Sequence, residues 1–84
     1  MKPILIYSND WCPFCRRAKM LLDSKGAQYQ EINVEEQPQK RLEMMERSGR
    51  RTVPQIFIGE THVGGCDELF AMERQGTLDP LLAN

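Results

Sequence analysis

The chain has 84 residues, of which 40% are hydrophobic and 27% are charged, and its formal net charge is -1. This length and composition suit one globular domain over residues 1–84, and a net charge this close to zero provides no positive field for nucleic acid. No apolar stretch is long enough to cross a membrane and no signal peptide is evident, so we expect neither a membrane partner nor export.

The first half of the chain predicts two strands that alternate with two helices. An apolar run at residues 3–7 is typical of a buried strand. The apolar residues that follow at helical spacing are Phe14, Ala18, Leu21 and Leu22, and they predict the first helix. Residues 28–34 predict the second strand. Pro38 suits the first position of a second helix, whose apolar face includes Leu42 and Met45.

The second half predicts a hairpin followed by helix. Residues 56–63 form a β-hairpin pattern around a two-residue turn at 59–60. A further helix ends at Gly76, and Asp79 and Pro80 suit the N-cap and first position of a last helical turn. The order β-α-β-α-β-β-α predicts an α/β fold with a four-stranded mixed sheet and helices on both faces, because the β-α-β unit gives parallel strands and the hairpin gives antiparallel ones.

Cys12 and Cys15 stand where the first predicted strand passes into the first predicted helix, in the sequence C-P-F-C. If Cys12 is the N-cap, Pro13 takes the first helical position, where a missing N–H costs nothing. The unpaired N–H groups of the first turn and the helix dipole then favour a thiolate on Cys12. Cys15 faces inward with Leu22, and burial disfavours its thiolate. We therefore predict Cys12 as the nucleophile and Cys15 as the resolving thiol.

Two other interpretations of the cysteines compete with a redox pair. A zinc site would take its ligands from Cys12, Cys15, His62 and Cys66, but Pro13 and the lack of a second close pair of ligands argue against it. A purely structural disulfide closes a loop too short to restrict the unfolded chain. The odd number of cysteines argues against a secreted disulfide framework and favours a reducing, cytoplasmic location.

Three blocks of sequence resemble those of glutaredoxins, the oxidoreductases with a thioredoxin-like fold that use glutathione. The blocks are CPFC at 12–15, TVPQIFI at 52–58 and GGCDEL at 64–69, in the order and at the spacing of the family. The match covers nearly the whole chain and looks most like the small bacterial dithiol glutaredoxins. It implies a monomer that uses glutathione as co-substrate and reduces glutathione mixed disulfides and protein disulfides, with ribonucleotide reductase as a candidate protein partner.

The resemblance implies one half of a glutathione groove around Pro54, which is similar to the family's cis-proline. A cis bond would let the Val53 backbone pair with glutathione as an added strand does. From the sequence alone, the alternative is a trans Pro54 at the first position of a strand, which is the usual case for a peptide bond before proline. The resemblance also places Arg41 and Thr52 near the glycine end, where Arg41 would pair with the carboxylate, while the alternative for Arg41 is a solvated helix face.

The other half of the groove is implied at the start of the last long helix. Backbone N–H groups of Gly65, Cys66 and Asp67 would bind the γ-glutamyl carboxylate, and Asp67 or Glu68 would hold the ammonium group. Many relatives have aspartate where Glu68 stands. Cys66 is interpreted as a small packing residue beside a tight turn, with a third redox centre as the alternative.

Several positions depart from the family pattern or have two interpretations. Asn9 stands where the family often has a lysine that reaches the glycine carboxylate, which moves that contact to Arg41 or Arg51. Trp11 either covers the start of the helix or packs beside the substrate. His62 is predicted on the surface of a strand.

Two alternative functions stay open at this point. One is a glutaredoxin-like electron donor that thioredoxin reductase reduces in place of glutathione. The other is an iron–sulfur carrier that holds a cluster between two chains through glutathione thiols, although Pro13 stiffens the loop and argues against it.

Overall fold

Eight elements follow one another along the chain: seven in the predicted order, and a short eighth helix near the predicted last turn. The computed structural model describes residues 1–83, and no helix in that part of the chain combines the length and hydropathy that a membrane span needs. The strands are β1 (Ile4–Ser8), β2 (Gln30–Asn33), β3 (Gln55–Ile58) and β4 (Thr61–Gly64). The helices are α1 (Pro13–Ser24), α2 (Pro38–Ser48), α3 (Cys66–Gln75) and α4 (Leu78–Ala83).

The four strands form one mixed sheet in the order β2-β1-β3-β4. Strand β1 pairs parallel to β2 and antiparallel to β3, and β3 pairs antiparallel to β4 across the predicted tight turn. The parallel pair follows from the helical crossover through α1, and the antiparallel pair from the hairpin. The predicted fold class is confirmed.

Apolar side chains cover both faces of the sheet, in two clusters. The larger core, packed by α1, α3 and α4, consists of Ile4, Ile6, Ala18, Leu22, Ala27, Ile56, Ile58, Cys66, Leu69, Leu78 and Leu82. The smaller core, packed by α2, consists of Tyr7, Ile32, Val34, Met44 and Phe57. Strand residues supply both cores because successive side chains of a strand point to opposite faces.

Two residues predicted on buried helix faces are exposed. Leu42 is 62% exposed, and Met44 is the side chain of α2 that is fully buried. Residues two positions apart on a helix point about 200° apart, so burial of Met44 turns Leu42 outward. Phe14 is 52% exposed because the buried stripe of α1 runs through Cys15 and Ala18 instead.

The predicted start of the last helical turn at Asp79 and Pro80 is wrong. Helix α4 begins at Leu78, whose side chain is fully buried in the larger core. The Asp79 carboxylate lies 2.7 Å from Lys25 Nζ, so it pairs with the end of α1. Pro80 falls in the first turn of α4, where an N–H has no partner within the helix.

Candidate active site

Cys12 caps the N-terminus of α1, as the sequence predicts. Its Sγ accepts a hydrogen bond from the Cys15 backbone N–H at 3.1 Å, and Pro13 follows as the first helical residue. The Cys12 side chain is partly exposed and its thiol lies 3.6 Å from the Val53 carbonyl oxygen. A thiolate here has an N–H donor and the positive end of the helix dipole beside it.

Cys15 lies directly beneath Cys12 and is wholly buried. Burial, together with a hydrogen bond to Cys12, raises the pKa of the Cys15 thiol to about 12. The Cys15 thiol is therefore protonated at neutral pH in the reduced protein. The partly exposed thiol of Cys12 can therefore act as a nucleophile, and the protonated thiol of Cys15 behind it can react in a later step.

A groove of about 290 Å³ adjoins Cys12 where three separate parts of the chain meet. These parts are the start of α1, the loop that leads into β3, and the start of α3. The lining residues are Phe14, Arg50, Thr52, Val53, Pro54, Gly65, Cys66, Asp67 and Glu68. The structure thus brings together all the predicted groove residues except Arg41. The Val53–Pro54 peptide bond is cis.

The start of α3 forms the far wall of the groove. Gly65 is the N-cap, and its backbone N–H donates to Glu68 Oε1 at 2.6 Å. The same oxygen accepts from Arg50 Nη1 at 2.9 Å, and these two bonds lower the pKa of the Glu68 carboxyl. The Gly65 N–H and the Glu68 carboxylate are therefore engaged with each other, while Asp67 is exposed at the groove.

Arg41 stands apart from the groove lining and supports a neighbouring loop. Its Nη2 donates to the Arg51 carbonyl oxygen at 2.9 Å. The cation that does line the groove is Arg50, which the sequence analysis did not single out. Its position two residues before Thr52, in a basic loop, was the available signal.

His62 and Cys66, the other two side chains of the alternative zinc site, have different roles. His62 is partly buried, not a free surface residue, and its Nε2 lies 2.8 Å from Gln55 Oε1. Cys66 is buried in the larger core, and this burial raises the pKa of its thiol. Across residues 1–83, no three His, Cys, Asp or Glu side chains are placed to hold a metal ion together.

Gln55 is a buried polar residue that sequence reasoning missed. It opens β3 and is fully buried beside the apolar residues of that strand. Its side-chain amide donates to the Thr52 carbonyl oxygen at 3.0 Å, directly behind the groove. An amide side chain at the head of an otherwise apolar strand was the signal for a buried hydrogen-bonded group.

Comparison with known proteins identifies the chain. The sequence model of the Glutaredoxin family matches residues 4–63. The chain is 55% identical to a glutaredoxin of Pseudomonas aeruginosa over 83 residues, and 54% identical to glutaredoxin 3 of Escherichia coli over 82 residues. These alignments cover 99% of the chain and 99% of the first relative, and 98% of the chain and 99% of the second.

A solved structure of similar shape agrees with these sequence matches. The crystal structure of a buckwheat glutaredoxin–glutathione complex has a TM-score of 0.91 and 36% sequence identity. The superposition covers 98% of this chain and 77% of that one. The fold is therefore thioredoxin-like, and the chain belongs to the glutaredoxin family of glutathione-dependent thiol–disulfide oxidoreductases.

Proposed function

We propose that Cys12 is the nucleophile and Cys15 the resolving thiol of a reaction that reduces glutathione mixed disulfides and protein disulfides. The observation that carries this proposal is the contrast between the two sulfurs. Cys12 Sγ accepts an N–H bond at the head of α1 and lies 3.6 Å from the carbonyl oxygen of Val53, a groove residue, whereas the Cys15 thiol is buried with a pKa of about 12.

In the first reaction, the Cys12 thiolate attacks the glutathione sulfur of a mixed disulfide. The bond between glutathione and the protein cysteine breaks, and the departing protein thiolate takes up a proton. A glutathione thiolate then attacks the sulfur of the glutathione held on Cys12. This step releases glutathione disulfide and regenerates the Cys12 thiolate. In the net reaction, one mixed disulfide and one glutathione give one protein thiol and one glutathione disulfide.

In the second reaction, Cys12 attacks a protein disulfide and becomes bonded to one of its sulfurs. The negative charge on Cys12 Sγ is one of the causes that raise the pKa of the Cys15 thiol. Formation of the new bond removes that charge. Cys15 then loses its proton and attacks Cys12 Sγ, which frees the substrate as a dithiol. Two glutathiones reduce the resulting Cys12–Cys15 disulfide.

We assign the groove to glutathione as co-substrate. Thr52 and the Val53 backbone beside Pro54 receive the glycine half, with Arg41 acting through the Arg51 carbonyl that it holds. At the other end, the γ-glutamyl half binds to backbone N–H groups of Cys66 and Asp67 and to the Asp67 carboxylate. Support comes from the groove lining and from charge, because a helix N-terminus attracts a carboxylate and a carboxylate attracts an ammonium group.

At this second end, Gly65 and Glu68 hold the helix start in shape through their hydrogen bond. The Glu68 side chain already has the Gly65 N–H and Arg50 as partners. We therefore give Asp67, in preference to Glu68, the contact with the ammonium group.

We further propose that residues 1–84 act as one monomeric domain in a reducing compartment, the cytoplasm. Its protein substrates are glutathionylated or disulfide-containing proteins, ribonucleotide reductase among them. The support is chemical, since a dithiol that glutathione reduces works where glutathione is kept reduced.

The decisive experiment measures reduction of a glutathione mixed disulfide, coupled to NADPH oxidation by glutathione reductase. We expect the wild type and Cys15→Ser to turn over this substrate and Cys12→Ser to be inactive. With a protein disulfide as substrate, Cys15→Ser should lose activity as well. Activity of Cys12→Ser on the mixed disulfide, or reduction by thioredoxin reductase with no need for glutathione, would contradict the proposal.

A further inference from the structure

A line of hydrogen bonds runs behind the groove from β4 to the loop that carries Thr52. His62 Nε2 lies 2.8 Å from Gln55 Oε1. Gln55 Nε2 lies 3.0 Å from the Thr52 carbonyl oxygen and 3.4 Å from Thr52 Oγ1. Gln55 is fully buried between its two partners, so both ends of its amide are fixed by protein atoms.

The direction of each bond follows from the chemistry of the partners. The Thr52 carbonyl oxygen can only accept, so the amide nitrogen of Gln55 faces Thr52 and the amide oxygen faces His62. The Gln55 oxygen can only accept as well, so His62 donates to it from Nε2–H. The His62 ring also stacks on the Phe57 ring at 4.8 Å between centroids, which holds its plane.

This line of bonds has a consequence for the Thr52 hydroxyl. When Thr52 Oγ1 accepts a hydrogen bond from Gln55, the hydroxyl hydrogen of Thr52 points away from Gln55. Thr52 is exposed and lines the groove, so that hydrogen is accessible to an acceptor on a bound ligand. A carboxylate is the acceptor that glutathione would bring to this end of the groove.

We propose that Gln55 and His62 are positioning residues that orient Thr52 to donate its hydroxyl to the glycine carboxylate of glutathione. The inference rests on the proposed function, because it presumes that this groove binds glutathione. It goes further in giving a role in substrate binding to two residues that do not touch the substrate.

The test compares His62→Phe, which keeps an aromatic ring on Phe57 but loses the Nε2–H donor, with Thr61→Val on the exposed side of the same strand. Two substrates are used, a glutathione mixed disulfide and the same disulfide made with the glycyl monoethyl ester of glutathione. We expect His62→Phe to raise KM for the first substrate about three- to tenfold, as loss of one hydrogen bond does, with little change in kcat. The change with the ester should be less than twofold, and Thr61→Val should match the wild type.

A second variant keeps the test decisive if His62→Phe also lowers stability. Thr52→Val removes the hydroxyl itself, and the double variant should be no worse than Thr52→Val alone, since His62 acts through that hydroxyl. A wild-type KM in His62→Phe, an equal rise with both substrates, or additive effects in the double variant would overturn the inference. A wild type that fails to reduce either substrate would instead contradict the proposed function.

Discussion

At the scale of single residues, the three thiols of the chain have different surroundings. Cys12 is partly exposed at a helix N-terminus, whereas Cys15 is fully buried and Cys66 is 4% exposed. Burial raises the pKa of both of these inner thiols. Because the thiolate is the form that reacts, burial and a raised pKa both disfavour reaction at Cys15 and Cys66, which leaves Cys12 as the accessible thiol.

We predict that brief treatment of the reduced protein with iodoacetamide at neutral pH modifies Cys12 alone. Peptide mass spectrometry after digestion measures the extent of modification at each cysteine. The same treatment in denaturant should label all three cysteines equally, which controls for their intrinsic reactivity. Labelling of Cys15 or Cys66 before Cys12 in the native protein would contradict the described environments.

The charged carboxylate of Glu68 holds the start of α3, which forms one wall of the groove. The Gly65 N–H and Arg50 lower the pKa of its carboxyl below the ordinary value of 4.5. A carboxyl whose pKa is lower in the folded state stabilises the fold above its unfolded pKa. This contribution is lost as the pH falls through the folded value.

We therefore predict that Glu68→Gln lowers the free energy of unfolding by about 1 kcal/mol at neutral pH, through a weaker helix cap. The difference from the wild type should shrink as the pH falls below 4.5, because the protonated wild type then resembles the variant. Urea denaturation across this pH range measures it. Asp67→Asn removes a charge from the same helical turn but leaves the bond between Gly65 and Glu68 intact. Its effect on the free energy of unfolding should therefore be smaller and more sensitive to salt. Equal effects at all pH values would refute the prediction.

At the scale of elements, α2 is attached to the sheet by polar groups as much as by apolar ones. Its fully buried side chain is Met44. The hydroxyl of Tyr7, in the smaller core, donates to Glu43 Oε2 at 2.5 Å and accepts from Arg47 Nη1 at 3.0 Å. The Arg47 guanidinium also lies 4.2 Å above the Phe57 ring. One hydroxyl thus fixes two side chains of the helix to the sheet.

We predict that Tyr7→Phe lowers the free energy of unfolding by about 1–2 kcal/mol, since both helix residues lose a partner. Amide hydrogen exchange in α2 should accelerate more than exchange in β1. Tyr29→Phe, which removes the same hydroxyl from a half-buried tyrosine, is the matched control and should cost less. An equal loss in the two variants would show that the Tyr7 hydroxyl has no special part in attaching α2.

The elements themselves were predictable because apolar spacing, prolines and glycines act locally. The order of strands and helices and the cap at Cys12 all follow from such signals. The errors at Leu42 and Asp79 have a different origin. Which face of α2 is buried and where α4 begins both depend on residues distant in sequence. Leu42 points outward because Met44 enters the smaller core, and Asp79 pairs with Lys25 across 54 positions of sequence.

The candidate site was predictable to the extent that the family motifs contain it. Groove residues from three separate blocks of sequence lie together in the structure. The supporting bonds lay beyond sequence reasoning, because a hydrogen bond between Gln55 and His62 depends on strand pairing and on rotamers. Arg50 was missed for a similar reason, since its place at the groove depends on the ion pair with Glu68.

At the scale of the whole molecule, the groove joins parts of the chain that are far apart in sequence and that the paired strands β1, β3 and β4 bring together. Its walls come from the start of α1, the loop before β3 and the start of α3. A peptide bound there and linked to Cys12 would contact all three. Any ligand that binds the folded state and not the unfolded state raises the unfolding midpoint.

We predict that Cys15→Ser carrying glutathione on Cys12 unfolds several degrees above the same variant carrying 2-mercaptoethanol on Cys12. Each kcal/mol of added stability raises the midpoint of a domain this size by about 4–8 °C. Both adducts have a mixed disulfide on Cys12, so a difference between their unfolding midpoints isolates the contacts of the peptide with the groove. Calorimetry measures the two midpoints. Amide exchange at Val53 and Cys66 should slow only in the glutathione adduct. Equal midpoints and equal exchange would mean that glutathione reaches Cys12 without occupying the groove.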